Sequence, residues 1–212
     1  MPAVKIKICG ITNYKDAAAA VEMGADFLGF NFYPKSPRYI PAEDAAKIIS
    51  KLPAFVDIVG VFVNALLEQI QKAIGRCQLN WVQLHGDEDP QFCGSLHSIN
   101  VRTIKAIRAK DRQAVQQAQK YFSDAVLLDA FDPEKYGGTG KTFDWSIMGH
   151  FDKPVFLAGG INPDNVSEAA RLDVYAIDVC SGIESEPGKK DYKKMEKLFK
   201  NLRQILKEEI SL

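Results

Sequence analysis

The feature that most constrains this chain is a repeat. Short apolar or β-branched runs begin near Val4, Asp26, Asp57, Asn80, Val101, Ala125, Pro154 and Val174, and each is followed by a stretch with helical patterning. Those stretches are "YKDAAAAVEMG" behind the capping Asn13, "PAEDAAKIISKL", "NALLEQIQKAIG", "DEDPQFCGSL", "DRQAVQQAQKYF", "FDWSIMGH", "NPDNVSEAARL" and "DYKKMEKLFKNLRQILKEEI". Strictly alternating strands and helices call for a parallel sheet. Eight such units predict an α/β chain closed into a single (β/α)8 TIM barrel over residues 1–212, with an open doubly wound sheet as the alternative. No linker, low-complexity segment or charge run marks a boundary, so one domain is expected.

Composition narrows the function classes. Twenty-seven basic residues balance twenty-seven acidic ones, so no broad basic face suggests a nucleic-acid partner, although a local anion pocket is compatible with neutrality. No run approaches the roughly 18 apolar residues of a membrane span. The first thirty residues carry Lys5, Lys7, Lys15 and Asp16 in place of a signal-peptide pattern, and a cytoplasmic protein is expected. Cys9, Cys77, Cys93 and Cys180 are scattered with no CxxC pair, which fits reduced thiols better than disulfides or a zinc site.

In a barrel the outer face of each strand meets helices while the inner face rises toward the carboxyl end, where barrel enzymes do their chemistry. In "VKIKICGIT" the apolar Val4, Ile6 and Ile8 alternate with Lys5, Lys7 and Cys9, so the polar set points inward and Cys9 stands at the strand end. By the same alternation "AVLLDAF" places Asp129 inward at its end, and "VYAIDVCSG" does so with Asp178. "WVQLHG" sends Gln83 and His85 inward. A lone histidine is more often structural than functional, and His85 is a candidate only through its strand-end position. His97 and His150 read as surface residues, and Asp26 and Asp57 precede their strands and belong to the opposite, stabilising face.

Three glycine-bearing loops follow consecutive strands near the end of the repeat: "KYGGTGKTF" with Gly138 and Gly140, "AGGINPDN" with Gly159 and Gly160, and "CSGIESEPGKKD" with Ser181 and Gly182. Clustered at one end of a barrel, such loops let backbone N–H groups approach an anion and predict a phosphate site. "GGTGK" lacks the GxxxxGK[ST] spacing, so ATP is not implied. The loop "NFYPKSPRYI" is stiffened by two prolines and carries Arg38, whose planar fork suits a carboxylate.

Taken in order, "KICGIT", "GFNFYPKSPRYI", "VGVFVN", "VQLHGDE", "LLDAF" with "GGTGKTFDW", "LAGGINPDNV" and "IDVCSGIESEPGKKD" resemble the phosphoribosylanthranilate isomerase family from end to end. The resemblance implies a (β/α)8 barrel without metal or organic cofactor. It implies conversion of a small-molecule substrate, N-(5-phosphoribosyl)anthranilate, to 1-(o-carboxyphenylamino)-1-deoxyribulose 5-phosphate in tryptophan biosynthesis. It also implies Cys9 as general base, Asp129 as general acid, Arg38 on the anthranilate carboxylate and the glycine loops as phosphate clamp. Lys7 either keeps Cys9 ionised or helps hold the substrate, and His85 and Asp178 are expected with Lys7 and Arg38 among the substrate-binding residues. Cys180 departs from the serine more usual at its position. The alternatives are another phosphosugar aldose-ketose isomerase and a non-catalytic barrel that binds a phosphorylated metabolite. Monomer and homodimer are both compatible with the sequence.

Overall fold

In the computed structural model, which describes residues 4–130 and 142–210, eight parallel strands form a closed barrel in sequence order. They are β1 Lys5–Cys9, β2 Phe27–Asn31, β3 Asp57–Phe62, β4 Trp81–Leu84, β5 Arg102–Ala109, β6 Ala125–Ala130, β7 Val155–Leu157 and β8 Ala176–Val179. Each begins within two residues of its expected start. The barrel is closed by β1 on β8, with Lys7 paired to Asp178 and Ile8 to Val179.

The alternation seen in the sequence sorts the side chains as expected. Ile6, Ile8, Val82, Leu84, Ile177 and Val179 pack outward under the helices, and Val126 and Leu128 do the same in a second outer cluster. Phe27, Val59, Trp81, Ile104, Leu127 and Phe156 fill the lower barrel interior. Phe27 meets Phe156 edge-on at 5.3 Å between ring centroids, and Trp81 stands 6.0 Å from Phe156. This apolar plug leaves the polar inward residues grouped above it.

The helices are α1 Tyr14–Met23, α2 Ala42–Ile49, α3 Leu67–Cys77, α4 Pro90–Ser95, α5 Arg112–Gln117, α6 Val166–Ala169 and α7 Tyr192–Ile210. Asn13 caps α1 by accepting from the Asp16 amide at 2.9 Å. Two helical expectations need correction. "FDWSIMGH" yields only a 3₁₀ turn at Trp145–Ile147, because Asp144 turns its side chain onto the Ser146 amide and Gly149 adopts a left-handed conformation at φ 67°. "NPDNVSEAARL" yields only the single turn of α6, because its first residues form an Asx-type loop in which Asn162 and Asn165 bond local backbone. A two-stranded hairpin, β9 Glu184–Glu186 with β10 Lys189–Lys190, follows β8 and was not anticipated.

At the lower rim, residues just before a strand satisfy the strand beside them. Asp26 accepts from the Ile6 amide, Asn80 from the Ile58 amide, and Asp124 from the Thr103 amide and hydroxyl. Asp57 takes the Trp81 indole N–H and Arg102. These polar groups fix register, in agreement with their expected place at the stabilising face.

On the outward face of β5, Lys105 is buried and donates to Glu88 Oε2 at 2.7 Å and to the Gly86 carbonyl at 2.8 Å. Glu88 also receives the Gly86 and Asn64 amides. This buried pair ties the loop after β4 to its neighbours. Removing one partner strands a charge away from water, so Lys105→Met is expected to cost about 3 kcal/mol in denaturant unfolding. A loss below about 1 kcal/mol would show that the loop is held by other means.

Candidate active site

Cys9 ends β1 at the carboxyl rim of the barrel, where only 9% of it is exposed. Beneath it Lys7, with no exposed surface, donates to Asp178 Oδ1 at 2.9 Å. Burial alone would lower the Lys7 pKa, but the Asp178 carboxylate and the Cys9 sulfur outweigh it and hold the ammonium above its ordinary value. Burial pushes the Asp178 carboxyl up to about 7, against the pull of Lys7. With no exposed surface and both partners beside it, Lys7 is placed to tune Cys9 more readily than to touch a ligand.

The Cys9 thiol is held well below the ordinary range by its neighbour Cys180 and, against the cost of burial, by the charges of Lys7 and Lys190. Cys77 and Cys93 lie in the outer core, and burial pushes both up to about 11. The same side chain thus titrates in opposite directions according to what surrounds it.

Residues missed in the sequence complete this side of the site. Lys190, on β10, donates to the Cys9 carbonyl at 2.6 Å and to Glu184 Oε1 at 3.0 Å. Glu184, on β9, takes Arg38 through Nε at 3.0 Å and Nη2 at 2.7 Å. Burial opposes ionisation of Glu184, but Arg38 and Lys190 hold it below the usual carboxylate range. The Arg38 fork expected for a ligand is therefore already half used: Nε and Nη2 face Glu184, and Nη1 lies outside that pair. A signal for the hairpin was present in Pro187 and Gly188 flanked by acidic and then basic residues.

Across the barrel Asp129 is 5% exposed and bonds the next amide, Ala130, through Oδ1 at 2.9 Å. His85 Nε2 stands 3.3 Å from Asp129 Oδ2, while Gln83 Nε2 lies 2.7 Å from His85 Nδ1. The Gln83 amide donates, so Nδ1 accepts and the ring proton sits on Nε2, facing Asp129. His85 is thereby a partner of Asp129, consistent with its strand-end placement.

The loops after β7 and β8 meet beside Asp129. Gly159 has φ 90°, and a Cβ there would stand 2.7 Å from the Ala130 nitrogen and 3.2 Å from Asp129 Oδ1. Gly160 follows in the same left-handed region at φ 62°. Gly182, in the 3₁₀ turn Ser181–Ile183, presses on the Ile161 carbonyl too closely for any side chain. The structure thus gathers Gly159, Gly160, Ser181 and Gly182 near one rim, while Gly138 and Gly140 lie outside the described residues. Among the described residues no three His, Cys, Asp or Glu side chains converge as a metal-ligand set.

The family model for N-(5'-phosphoribosyl)anthranilate isomerase matches residues 6–201. The chain belongs to the phosphoribosylanthranilate isomerase family. A relative from Geobacter metallireducens named N-(5'-phosphoribosyl)anthranilate isomerase is 46% identical over 200 residues, covering 93% of this chain and 98% of its own. The phosphoribosyl anthranilate isomerase of Thermus thermophilus superposes with a TM-score of 0.88 at 34% identity, over 95% of this chain and 100% of the other. A further isomerase structure, in complex with reduced 1-(o-carboxyphenylamino)-1-deoxyribulose 5-phosphate, has a TM-score of 0.79 at 39% identity, over 95% of this chain and 99% of the other. Within this family barrel, the acid and base candidates occupy opposite sides of one rim, on β6 and β1.

The electrostatic account of Cys9 has a direct check. Lys7→Met removes a cation that favours the thiolate, so the pH midpoint of Cys9 alkylation should move upward, with a smaller rise for Lys190→Met. An unchanged midpoint in both variants would detach the two lysines from the thiol.

Proposed function

We propose that this chain isomerises N-(5-phosphoribosyl)anthranilate to 1-(o-carboxyphenylamino)-1-deoxyribulose 5-phosphate in tryptophan biosynthesis, as a single-domain barrel working in the cytoplasm as a monomer or homodimer. The observation that carries the reading is the pairing, at one rim of a family barrel, of a cysteine held toward its thiolate with a buried carboxyl group. The reaction moves hydrogen without net oxidation or reduction, and it needs one proton donor and one acceptor. Asp129 gives a proton to the furanose ring oxygen, and the ring C–O bond opens to a Schiff base. The Cys9 thiolate takes the proton from the adjacent ribose C2, and the electrons left behind form the enolamine. Protonation at C1 with loss of the enol proton gives the ketone, so product and substrate are isomers.

The remaining residues support this reading by position. His85 holds the Asp129 carboxyl from the side and Ala130 fixes its other oxygen, which aims the acid. Arg38 is anchored by Glu184 and offers Nη1 to the anthranilate carboxylate. The loops bearing Gly159, Gly160, Ser181 and Gly182, with Gly138 and Gly140, bind the phosphate through backbone N–H groups. No helix among the described residues is long and apolar enough to cross a membrane.

The test is loss of anthranilate-type fluorescence when the purified protein meets freshly generated phosphoribosylanthranilate. Cys9→Ser and Asp129→Asn should each lower kcat by about 10² or more with little change in KM. Arg38→Met should mainly raise KM, because it removes an interaction present in ground and transition states alike. Equal, small losses in all three would contradict the roles assigned, and tight product binding without turnover in the unaltered protein would support a binding barrel in place of an enzyme.

A further inference from the structure

Two thiols, not one, stand at the top of the β1–β8 seam. The strands pair in register as Lys7 with Asp178 and Ile8 with Val179, which brings Cys9 and Cys180 side by side one step past the last paired residues. Side chains at this step share the face of Lys7 and Asp178, the inward one. Cys9 has only 9% of its surface exposed, and a Cβ at Gly10 would lie 3.1 Å from Cys180 Sγ, so the two sulfurs sit in a confined space.

The charges around this pair allow one thiolate and not two. From β1 comes Lys7, from β8 Asp178, from the loop after β2 Arg38, and from the hairpin Glu184 and Lys190. β2 presents Gly29, which is uncharged, opposite Cys9. Asp129 faces the group from β6 beside His85 and, as the proton-bearing acid of the proposed reaction, adds no charge to it. Three cations stand against the two carboxylates to which they are bonded, an excess of one positive charge. One thiolate balances that excess, and a second would have to be buried without compensation.

Position decides which thiol keeps its proton. Cys9 has Lys7 beneath it and Lys190 bonded to its own carbonyl at 2.6 Å. The nearest carboxylate to Cys180 is Glu184, whose Oε1 lies 3.9 Å from Cys180 Sγ and already accepts from Lys190, Gly188 and Arg38. A negative charge at Cys180 would face that carboxylate, and the hydrogen bond that the Cys180 thiol makes to it is long and directed at an oxygen already in use. The register places a second acceptor, the Cys9 sulfur, beside the same thiol.

We infer that Cys180 is a positioning residue for the proposed reaction: its thiol donates a hydrogen bond to the Cys9 sulfur and so makes Cys9, of the two neighbours, the base. This rests on Cys9 being the base of that reaction, but the contact itself stands on the resting structure. The thiolate is a better acceptor than the neutral thiol, so the bond favours the ionised form of Cys9. A hydroxyl at position 180 supplies the same donor, and a methyl group supplies none.

The test is iodoacetamide alkylation of the full chain as a function of pH, with each cysteine peptide quantified by mass spectrometry. In Cys180→Ala the Cys9 midpoint should rise by about one pH unit, the size expected for losing a hydrogen bond to an ion. Cys180→Ser should keep it near that of the unaltered protein. An unmoved midpoint in Cys180→Ala, or equal shifts in both variants, would overturn the inference. If Cys180→Ala does not fold, the unaltered protein decides: Cys9 should be alkylated at least about tenfold faster than Cys180 at neutral pH, although Cys180 is the more exposed of the two. Faster reaction at Cys180 would overturn the inference. None of these readings requires turnover, so a shift in Cys180→Ala alongside an absence of isomerase activity would leave this contact standing while the reaction assignment fell.

Discussion

The rest of the structure depends on the pairing of β1 with β8. That seam closes the barrel, and it joins Lys7 to Asp178 across 171 residues of sequence. A lysine without exposed surface costs several kcal/mol unless an opposite charge meets it, and here the charge arrives only when the last strand docks on the first. The electrostatic environment of Cys9 therefore does not exist in any open form of the sheet. Fold closure and the chemistry of the rim are linked by one buried ion pair.

A second layer of charge locks the seam from above. Lys190 bonds the Cys9 carbonyl and Glu184, and Glu184 holds Arg38, so the short hairpin after β8 connects β1 with the loop after β2. The Lys190 amide also donates to Asp16 at 2.8 Å, which fastens the hairpin to the start of α1. Position in the barrel separates these groups from the carboxylates of the lower rim. Asp26 and Asp124 accept backbone amides of neighbouring strands and are used up in holding register, whereas Asp129 and Asp178 on the upper rim bond side chains and their own backbone.

Much of this was legible in the sequence because it is written in short-range periodicity. Alternation along five or six residues placed Lys7, Cys9, His85, Asp129 and Asp178 inside the barrel, and the structure agrees for each. Helices after β6 and β7 were misread because their apolar spacing resembles a helix while Asp144, Asn162 and Asn165 spend their side chains on local turns. Glu184 and Lys190 escaped notice for a different reason. In sequence they are two charges in a charged loop, and their meaning comes from partners 146 and 181 residues away. The role of Cys180 was equally hidden, since nothing local to it says that β1 will end beside it.

The central claim is that the folded barrel holds Cys9 as a thiolate before any substrate binds. Ultraviolet thiolate absorbance of the unaltered protein, minus that of Cys9→Ser, measures this directly as pH is raised. The account predicts a difference already present at neutral pH and lost only as the solution becomes acidic. A difference that emerges only in the alkaline range of an ordinary thiol would contradict it.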